Sequence, residues 1–318
     1  MKDVKISSDR IDSVVWPEPL QQRQPQLAEA GQLLALSRQA GWNQTLADWR
    51  LLLASAGDNE LSLWHDERPV ASALALSYGG RFAWICMVLV TPDWRGQGLA
   101  TRLLRLLVAQ LSSQGLIVGL DATPAGRAVY QPLGFRDIYP IRRLIAARPM
   151  LADAARQTLS SQHCVRPLQA TELTELAAWD APIFGAERVA LIHALYERLP
   201  HCAYIARNAS GDISGYVLGR DGQNATQLGP LVASDSALAS DLLLAALTAL
   251  NSTQPSTGPS TGPSTESVVI DVLARQQLAL LPELGFVEQR GFSRMLLQRE
   301  QPLDQPDKLF AIAGPELG

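Results

Sequence analysis

The chain has 318 residues, enough for two domains at roughly 150 residues each. Its 47% apolar and 18% charged content excludes a mainly disordered chain, and a net charge of −4 excludes bulk attraction to nucleic acid or anionic membrane. No apolar run approaches the roughly 18–20 residues that cross a bilayer, and the polar start Met1–Arg10 lacks a signal core. Cys86, Cys164 and Cys202 are far apart and odd in number, which fits a reducing cytoplasm. With four scattered histidines and no zinc-ligand spacing, no metal site is expected.

Apolar patterning predicts helices over Leu27–Ser37 and Thr45–Ala54, the second opened by a capping box of Thr45 and Asp48. Strands follow at Leu61–Trp64, Val70–Ser77 and Ala83–Val90, with Gly79-Gly80 as a hairpin turn. A helix to about Leu111 carries the stripe Leu99, Leu103, Leu106, Leu107 and Val108. Leu116–Leu120 reads as a strand, Ala125–Gln131 as a short helix and Arg142–Ala146 as the last strand of this half. The second half repeats the order. Helices are expected at Glu172–Trp179, Glu187–Arg198 and Ala237–Leu250, and strands at Ala203–Arg207, Ile213–Gly219, Gln227–Val232 and Val268–Leu273. The Ser/Thr/Pro/Gly tract Ser252–Ser267 reads as a solvated loop. Leu-Gly-Phe recurs at Leu133–Phe135 and Leu284–Phe286, an offset of 151 residues that suggests a duplicated domain with its boundary at Pro149–Gln162.

The chemistry-bearing segment is Met87–Ala100. A strand ends at Val90, Gly96 and Gly98 turn the backbone tightly, and a helix then begins with unpaired amides and the positive end of its dipole. Such a loop suits a diphosphate, and Arg95 can add a charge-assisted contact. A nucleoside-triphosphate loop would need Gly-Lys-Ser/Thr, which is absent. A dinucleotide loop would need a third glycine where Thr101 stands; Asp121 lies near the offset of the expected ribose-binding acid, but the upstream helices and hairpins fit that fold poorly. Coenzyme A is the third reading.

Arg95-Gly96-Gln97-Gly98-Leu99-Ala100 resembles the Gln/Arg-x-x-Gly-x-Gly/Ala signature of the GNAT superfamily of acyl-CoA N-acyltransferases. Tyr130-Gln131-Pro132-Leu133-Gly134-Phe135 resembles its Tyr-x-x-x-Gly-Phe element. With Trp42–Thr45, Leu120–Pro124 and Ala311–Pro315, nearly the whole chain looks like the bacterial tandem-GNAT group of the YitH type, most strongly in the first half. The resemblance implies an α/β (α+β) protein of two tandem GNAT folds, each a mixed, mostly antiparallel sheet flanked by helices. Residues 1–150 would form the acetyl-CoA-binding domain, 162–300 a degenerate GNAT-like domain and 301–318 a C-terminal tail. Val88, Leu89 and Val90 would face the pantetheine arm. Arg95, Gly96, Gln97, Gly98, Leu99, Ala100 and Thr101 would cradle the diphosphate, with Thr123 near the cofactor. Tyr130 matches the tyrosine that protonates the departing thiolate.

Some GNAT enzymes carry a glutamate base six residues before the position of Val90, but Trp84 stands there. Asp121 is a candidate base, or alternatively a helix cap. Cys86 suggests an acyl-cysteine route, though no histidine neighbours it and a buried thiol is the simpler reading. The second half lacks the signature at Gly229–Ser236 and has Leu281 at the tyrosine position, so it would bind cofactor weakly or not at all. Trp42, Trp84, Trp179 and Phe184 are candidate pocket-lining or core residues. Asp180, before a Pro-Ile-Phe-Gly turn, could pair with an acceptor ammonium or brace the interface. Arg188 reads as a surface or interface charge, and Arg142-Arg143 as a strand-edge or solvated pair.

The expected activity is direct transfer of an acetyl group from acetyl-CoA to the amine of a small molecule. The second domain would shape the acceptor site, in a cytoplasmic monomer or homodimer with no nucleic acid, membrane or metal partner. A protein lysine or N-terminal acetyltransferase and a non-catalytic acyl-CoA-binding module are the alternatives.

Overall fold

The computed structural model describes residues 15–147, 149, 164–252 and 267–318. All of the expected boundary at Pro149–Gln162 except Pro149, and most of the Ser/Thr/Pro/Gly tract, lie outside the described residues. Each half runs through the same order of elements. In the first these are β1 (Gln21–Arg23), α1 (Ala30–Gln39), α2 (Leu46–Ala56), β2 (Glu60–His65), β3 (Arg68–Tyr78), β4 (Phe82–Val90), α3 (Leu99–Ser113), β5 (Ile117–Ala122), α4 (Pro124–Tyr130) and β6 (Phe135–Ala146). The second half supplies β7 (Cys164–Pro167), α5 (Leu173–Phe184), α6 (Val189–Arg198), β8 (Tyr204–Arg207), β9 (Ile213–Arg220), β10 (Thr226–Ala233), α7 (Ser236–Ser252), β11 (Val268–Leu273), α8 (Leu280–Glu283) and β12 (Val287–Leu297). A last strand, β13 (Leu309–Ile312), has no counterpart among the described residues of the first half.

Local chemistry explains most of these boundaries. Thr45 caps α2 through its hydroxyl while the Asp48 carboxylate returns to the Thr45 amide, as the capping box predicts. On α3 the buried stripe is Leu99, Leu103, Leu104, Leu107, Val108 and Leu111; Leu104 takes the place expected for Leu106, which is only half-buried. The turn expected after Asp180 is absent. α5 runs on to Phe184 with Pro182 inside it and stops at Gly185, a left-handed residue.

The two halves do not form two separate sheets. All thirteen strands make one sheet in the order β1-β2-β3-β4-β5-β12-β6-β11-β13-β10-β9-β8-β7. The last long strand of each half has crossed to the other. β12 pairs with β5 from Ser293–Ala122 to Leu296–Gly119, and β6 pairs with β11 from Val268–Ala146 to Leu273–Ile141. β6 and β12 are 12 and 11 residues long and lie antiparallel along most of their length at the centre of the sheet. Residues 301–318 are accordingly not a tail. β13 is wedged between β10 and β11, and the residues after it pack into the first half.

One core, with Leu103, Leu107, Leu111, Ile85 and Val118, fills the space under α3. A second, under α7, holds Leu242, Leu247, Val217 and Ile270. The largest lies on the opposite face of the sheet, where α1, α2, α5 and α6 from both halves meet around Trp49, Trp84, Phe184 and Phe292. Among the described residues, no helix is long and apolar enough to cross a membrane.

One carboxylate opposes this packing. Glu60 is 7% exposed, its Oε2 is buried without a hydrogen-bond partner among the described residues, and burial pushes the carboxyl up to about 7. A folded-state value above the ordinary 4.5 means that the native state binds the extra proton. Stability therefore falls as pH rises from about 4.5 through about 7. Glu60→Gln is expected to raise Tm at pH 7.5 and to change it little at pH 4.5. Equal shifts at both values would show that the carboxyl is not the source.

Candidate active site

The site begins with a fault in pairing. β4 and β5 run parallel and bond only over Phe82–Trp84 and Ile117–Gly119. Beyond that the strands part. A bulge opens β4, since Ser72 opposes Leu89 while Leu74 already opposes Cys86. Met87 sits in the bulge at a φ of 50°, and the Ser72 hydroxyl holds it by donating to the Met87 carbonyl at 2.7 Å. The outer part of β4 therefore leaves ladder groups unpaired on its β5 side, where an extended ligand arm can bond to them.

The loop after β4 leads into α3 through Gly96 and Gly98, at φ of 76° and 75°, with open space above both Cα atoms. Gly98 is the N-cap of α3 and no side chain caps that end, so the amides of the first turn remain available to an anion. Gln97 is exposed, Thr101 is half-buried, and Leu99 turns inward as a core residue. Arg95 differs in part from expectation: its Nε donates to the Val90 carbonyl at 3.0 Å, pinning the loop to the strand end.

The cleft opens into a cavity of about 290 Å³ lined by residues of both halves. Val88, Ala100, Thr123 and Tyr130 lie on its wall beside Cys86 and Met87. Leu89 is buried and Val90 packs among the residues under α3. The Thr123 hydroxyl caps α4, accepting from the Gly126 amide at 3.1 Å. Tyr130 reaches the cavity from the end of α4 and packs against Phe135, and burial pushes its phenol up to about 12.

Asp121 is neither a helix cap nor a free base. It lines the cavity, but its carboxylate is clamped by Arg294 of β12 through two hydrogen bonds of 3.0 and 2.9 Å. Its side chain has no exposure. Burial pushes the carboxyl up, against the pull of Arg294. Cys86 fits the simpler reading as well, since burial lifts its thiol well above the ordinary value.

Of the aromatic candidates, Trp42 lines the cavity. Trp84 does not. It lies under the floor, 2% exposed, donating to the Pro315 carbonyl and covered by the Arg294 guanidinium. Trp179 and Phe184 are packing residues. Asp180 is fully buried within the second half and takes two bonds from Arg188, at 2.6 and 2.9 Å, and one from the Tyr216 hydroxyl. It does not line the cavity. Arg188 is correspondingly a buried residue and not a surface charge. Arg142-Arg143 is not an edge pair either: β6 is a central strand, and Arg143 is 5% exposed and bonded to Asp271 at 2.7 and 2.6 Å.

The wall of the cavity away from α3 and α4 holds residues that sequence reasoning missed. Glu316, on the segment after β13, lines the cavity. Its Oε1 accepts from Gln44 at 2.9 Å and pairs with Arg220, which also bonds Asp48 at 2.7 Å. Arg198 joins Asp48 from α6. Asn43 clamps the second half through the Asn224 and Ala225 amides at 2.8 and 3.0 Å. The Tyr78 hydroxyl donates to the Leu317 carbonyl at 2.7 Å. The two conspicuous segments, Trp42–Thr45 and Ala311–Pro315, thus meet at this site, although the second stops one residue short of Glu316.

The equivalent place in the second half is already filled. β10 and β11 also pair in parallel over three residues only, Thr226–Leu228 with Val268–Ile270. There the gap holds β13, paired to Leu231 and Val232 on one side and to Asp271 and Val272 on the other. Gly229 permits this approach, because a Cβ there would lie 2.1 Å from the Ile312 carbonyl oxygen. The start of α7 is capped by Asp235, whose carboxylate accepts from the Ala237 and Leu238 amides at 3.0 Å. Among the described residues, no cluster of His, Cys, Asp and Glu could hold a metal ion.

Residues 27–135 match the Acetyltransferase (GNAT) family, and residues 176–256 match an Acetyltransferase (GNAT) domain. An uncharacterized N-acetyltransferase, YitH, of Bacillus subtilis is 25% identical over 213 residues, covering 66% of this chain and 72% of its own. The fold resembles a putative acetyltransferase from Pyrococcus horikoshii, with a TM-score of 0.71 and 16% identity over 96% of this chain and 98% of that one. It also resembles a tandem GNAT protein from the clavulanic acid biosynthesis pathway, with a TM-score of 0.59 and 16% identity over 87% and 98%. With one GNAT domain matched in each half around an exchanged pair of strands, the chain belongs to the GNAT acyltransferases as a tandem, YitH-type N-acetyltransferase.

Proposed function

We propose that the first half takes acetyl-CoA as acyl donor and passes the acetyl group directly to the amine of a small molecule, while the second half builds the acceptor site. The carrying observation is the parted β4–β5 cleft, which leads from the uncapped start of α3 to a cavity closed by residues of β6, β12 and the segment after β13. The closure favours a small acceptor over an extended peptide. The diphosphate would rest on the amides from Gly96 to Thr101, and the pantetheine arm along Val88–Val90.

In the reaction the neutral amine attacks the thioester carbon; the C–N bond forms as the C–S bond breaks. Ladder N–H groups at the Met87–Val88 bulge face the carbonyl oxygen and stabilise the charge it gains. Tyr130 donates its proton to the leaving sulfur. The amine's extra proton passes to Glu316, whose Oε2 carries none of the bonds from Gln44 and Arg220. Asp121 becomes a positioning residue that ties Arg294 of β12 to β5.

The second half would bind no acyl-CoA, because β13 lies in its cleft and Asp235 already satisfies the first amides of α7. The three free cysteines fit a cytoplasmic setting.

Titration with acetyl-CoA tests this reading. One site per chain is expected, abolished by Gly98→Glu, which puts bulk and negative charge where the diphosphate would lie and forces a side chain onto a left-handed residue. Two sites per chain would overturn the assignment of the second half, and no binding would overturn the donor. Binding without transfer to any amine would leave an acyl-CoA-binding module.

A further inference from the structure

We infer that the acceptor carries a carboxylate near its amine, and that Arg290, an exchanged-strand residue of the second half, binds it. The inference rests on the reading of the first half as the acetyl-transferring site and adds the class of acceptor.

Arg290 lines the cavity with Arg143, Phe292, Gln44 and Glu316. Three other arginines of this region are matched to carboxylates. Arg143 is bonded to Asp271, Arg220 to Asp48 and Glu316, and Arg294 to Asp121 and Asp304. Arg290 has no carboxylate and no hydrogen bond among the described residues, and its Nε is buried without a partner. Its visible contact is with the Phe292 ring, 5.1 Å from guanidinium carbon to centroid.

The sheet register explains why it is left over. Arg290 on β12 lies directly opposite Arg143 on β6, and Arg143 lies directly opposite Asp271 on β11. One carboxylate therefore serves two adjacent cations, and it is committed to Arg143 by two short bonds. Burial and the charge on Arg143 lower the proton affinity of Arg290 by more than the nearby Asp271 and Glu316 carboxylates, neither of them ion-paired to it, raise it. Like charges opposite one another in a sheet are destabilising, so a ligand anion would relieve the arrangement.

The position fits the acceptor and not the donor. Phe292 packs with Cys86 and Met87 on the face of the sheet under α1 and α2. The residues assigned to the donor, Val88, Val90 and Tyr130, pack on the α3 face. With Glu316 open at Oε2 toward the amine, the cavity offers one anion and one cation, from the segment after β13 and from β12. That pairing matches an amino acid or a similar amino carboxylate. A guanidinium holds a carboxylate through two parallel bonds, which fixes orientation as well as charge.

The test uses the full chain with saturating acetyl-CoA and a panel of L-amino acids paired with their carboxamides, followed by release of CoA thiol. The carboxylate member of a pair is expected to exceed its amide at least tenfold in kcat/KM. Arg290→Gln should lower the carboxylate series at least tenfold and leave the amides within about twofold, and Arg290→Lys should restore part of the difference. A structural role would not move that ratio; Tm should be unchanged or raised, since a like-charge neighbour of Arg143 is removed. In parallel, N-acetyl amino acids and their amides are titrated into the protein–CoA complex, with the acids expected to bind at least tenfold tighter until Arg290 is replaced. Equal handling of acid and amide, or a ratio unchanged in Arg290→Gln, overturns the inference while leaving the donor site standing. A wild-type chain that fails to bind acetyl-CoA fails at the earlier reading instead.

Discussion

Tyr130→Phe is expected to lower kcat by roughly 10²–10⁴-fold, the range for loss of a general acid, while acetyl-CoA affinity stays within about twofold. The separation follows from where the hydroxyl sits. No hydrogen bond or ion pair of the described residues holds it, and the ring is fixed by Phe135 and by the cap of α4. Its removal should therefore cost little stability and little ground-state binding. Burial alone holds the phenol up near 12, so it keeps its proton throughout the neutral range and presents it to the sulfur as charge develops there. Any fall in rate between about pH 8 and 10 then has another origin and should persist in the variant. Full kcat in Tyr130→Phe would remove the residue from the reaction and leave the leaving thiolate to solvent.

The parts of the site carried by local sequence were legible. A glycine-turned loop running into a helix needs no distant partner, so Gly96–Thr101 could be placed on the start of α3 from the chain alone. Tyr130 was singled out by the resemblance of Tyr130–Phe135 to a family element, and it lies on the cavity wall. The boundaries of α2, β4 and β11 followed from a capping pair and from apolar runs bounded by turn residues.

What escaped depends on which strands lie side by side. β12 carries Arg-Gly-Phe-Ser-Arg at its middle and β6 opens Phe-Arg-Asp-Ile-Tyr-Pro, and neither alternates apolar and polar residues as a half-buried strand should. They are central strands because each pairs with the partner half, and their charges are buried because the other half supplies the counter-ions. Arg143 thus reads as a strand-edge or solvated charge in sequence and is 5% exposed in the fold, and Arg294 is 4% exposed. Glu316 was invisible for a similar reason, since it enters the first half only after β13 has taken the gap between β10 and β11. Asp121 misled in the opposite direction. Its place at a strand end suits a base, but its counter-ion Arg294 lies 173 residues away.

Asp271→Asn tests the centre of this arrangement and should be the most destabilising change discussed, at about 3–5 kcal/mol. The carboxylate has no exposure and receives Arg143 through both oxygens, with Gln227 adding a bond of 3.1 Å. The asparagine retains the shape and removes the charge. Arg143 would then be an uncompensated buried cation directly opposite a second one, Arg290. Two further variants separate burial from repulsion. Adding Arg290→Gln should recover up to about 1 kcal/mol, the scale of a cross-strand like-charge pair. Replacing the whole pair, Asp271→Leu with Arg143→Met, should recover most of the loss, because apolar residues of similar volume carry no desolvation penalty. Denaturant midpoints at constant m would read these differences. If Asp271→Asn costs less than about 1 kcal/mol, water or another carboxylate must reach Arg143, and the same group would then be available to Arg290. The charge row across β12, β6 and β11 thus links the stability of the exchanged strands to the cation that faces the acceptor.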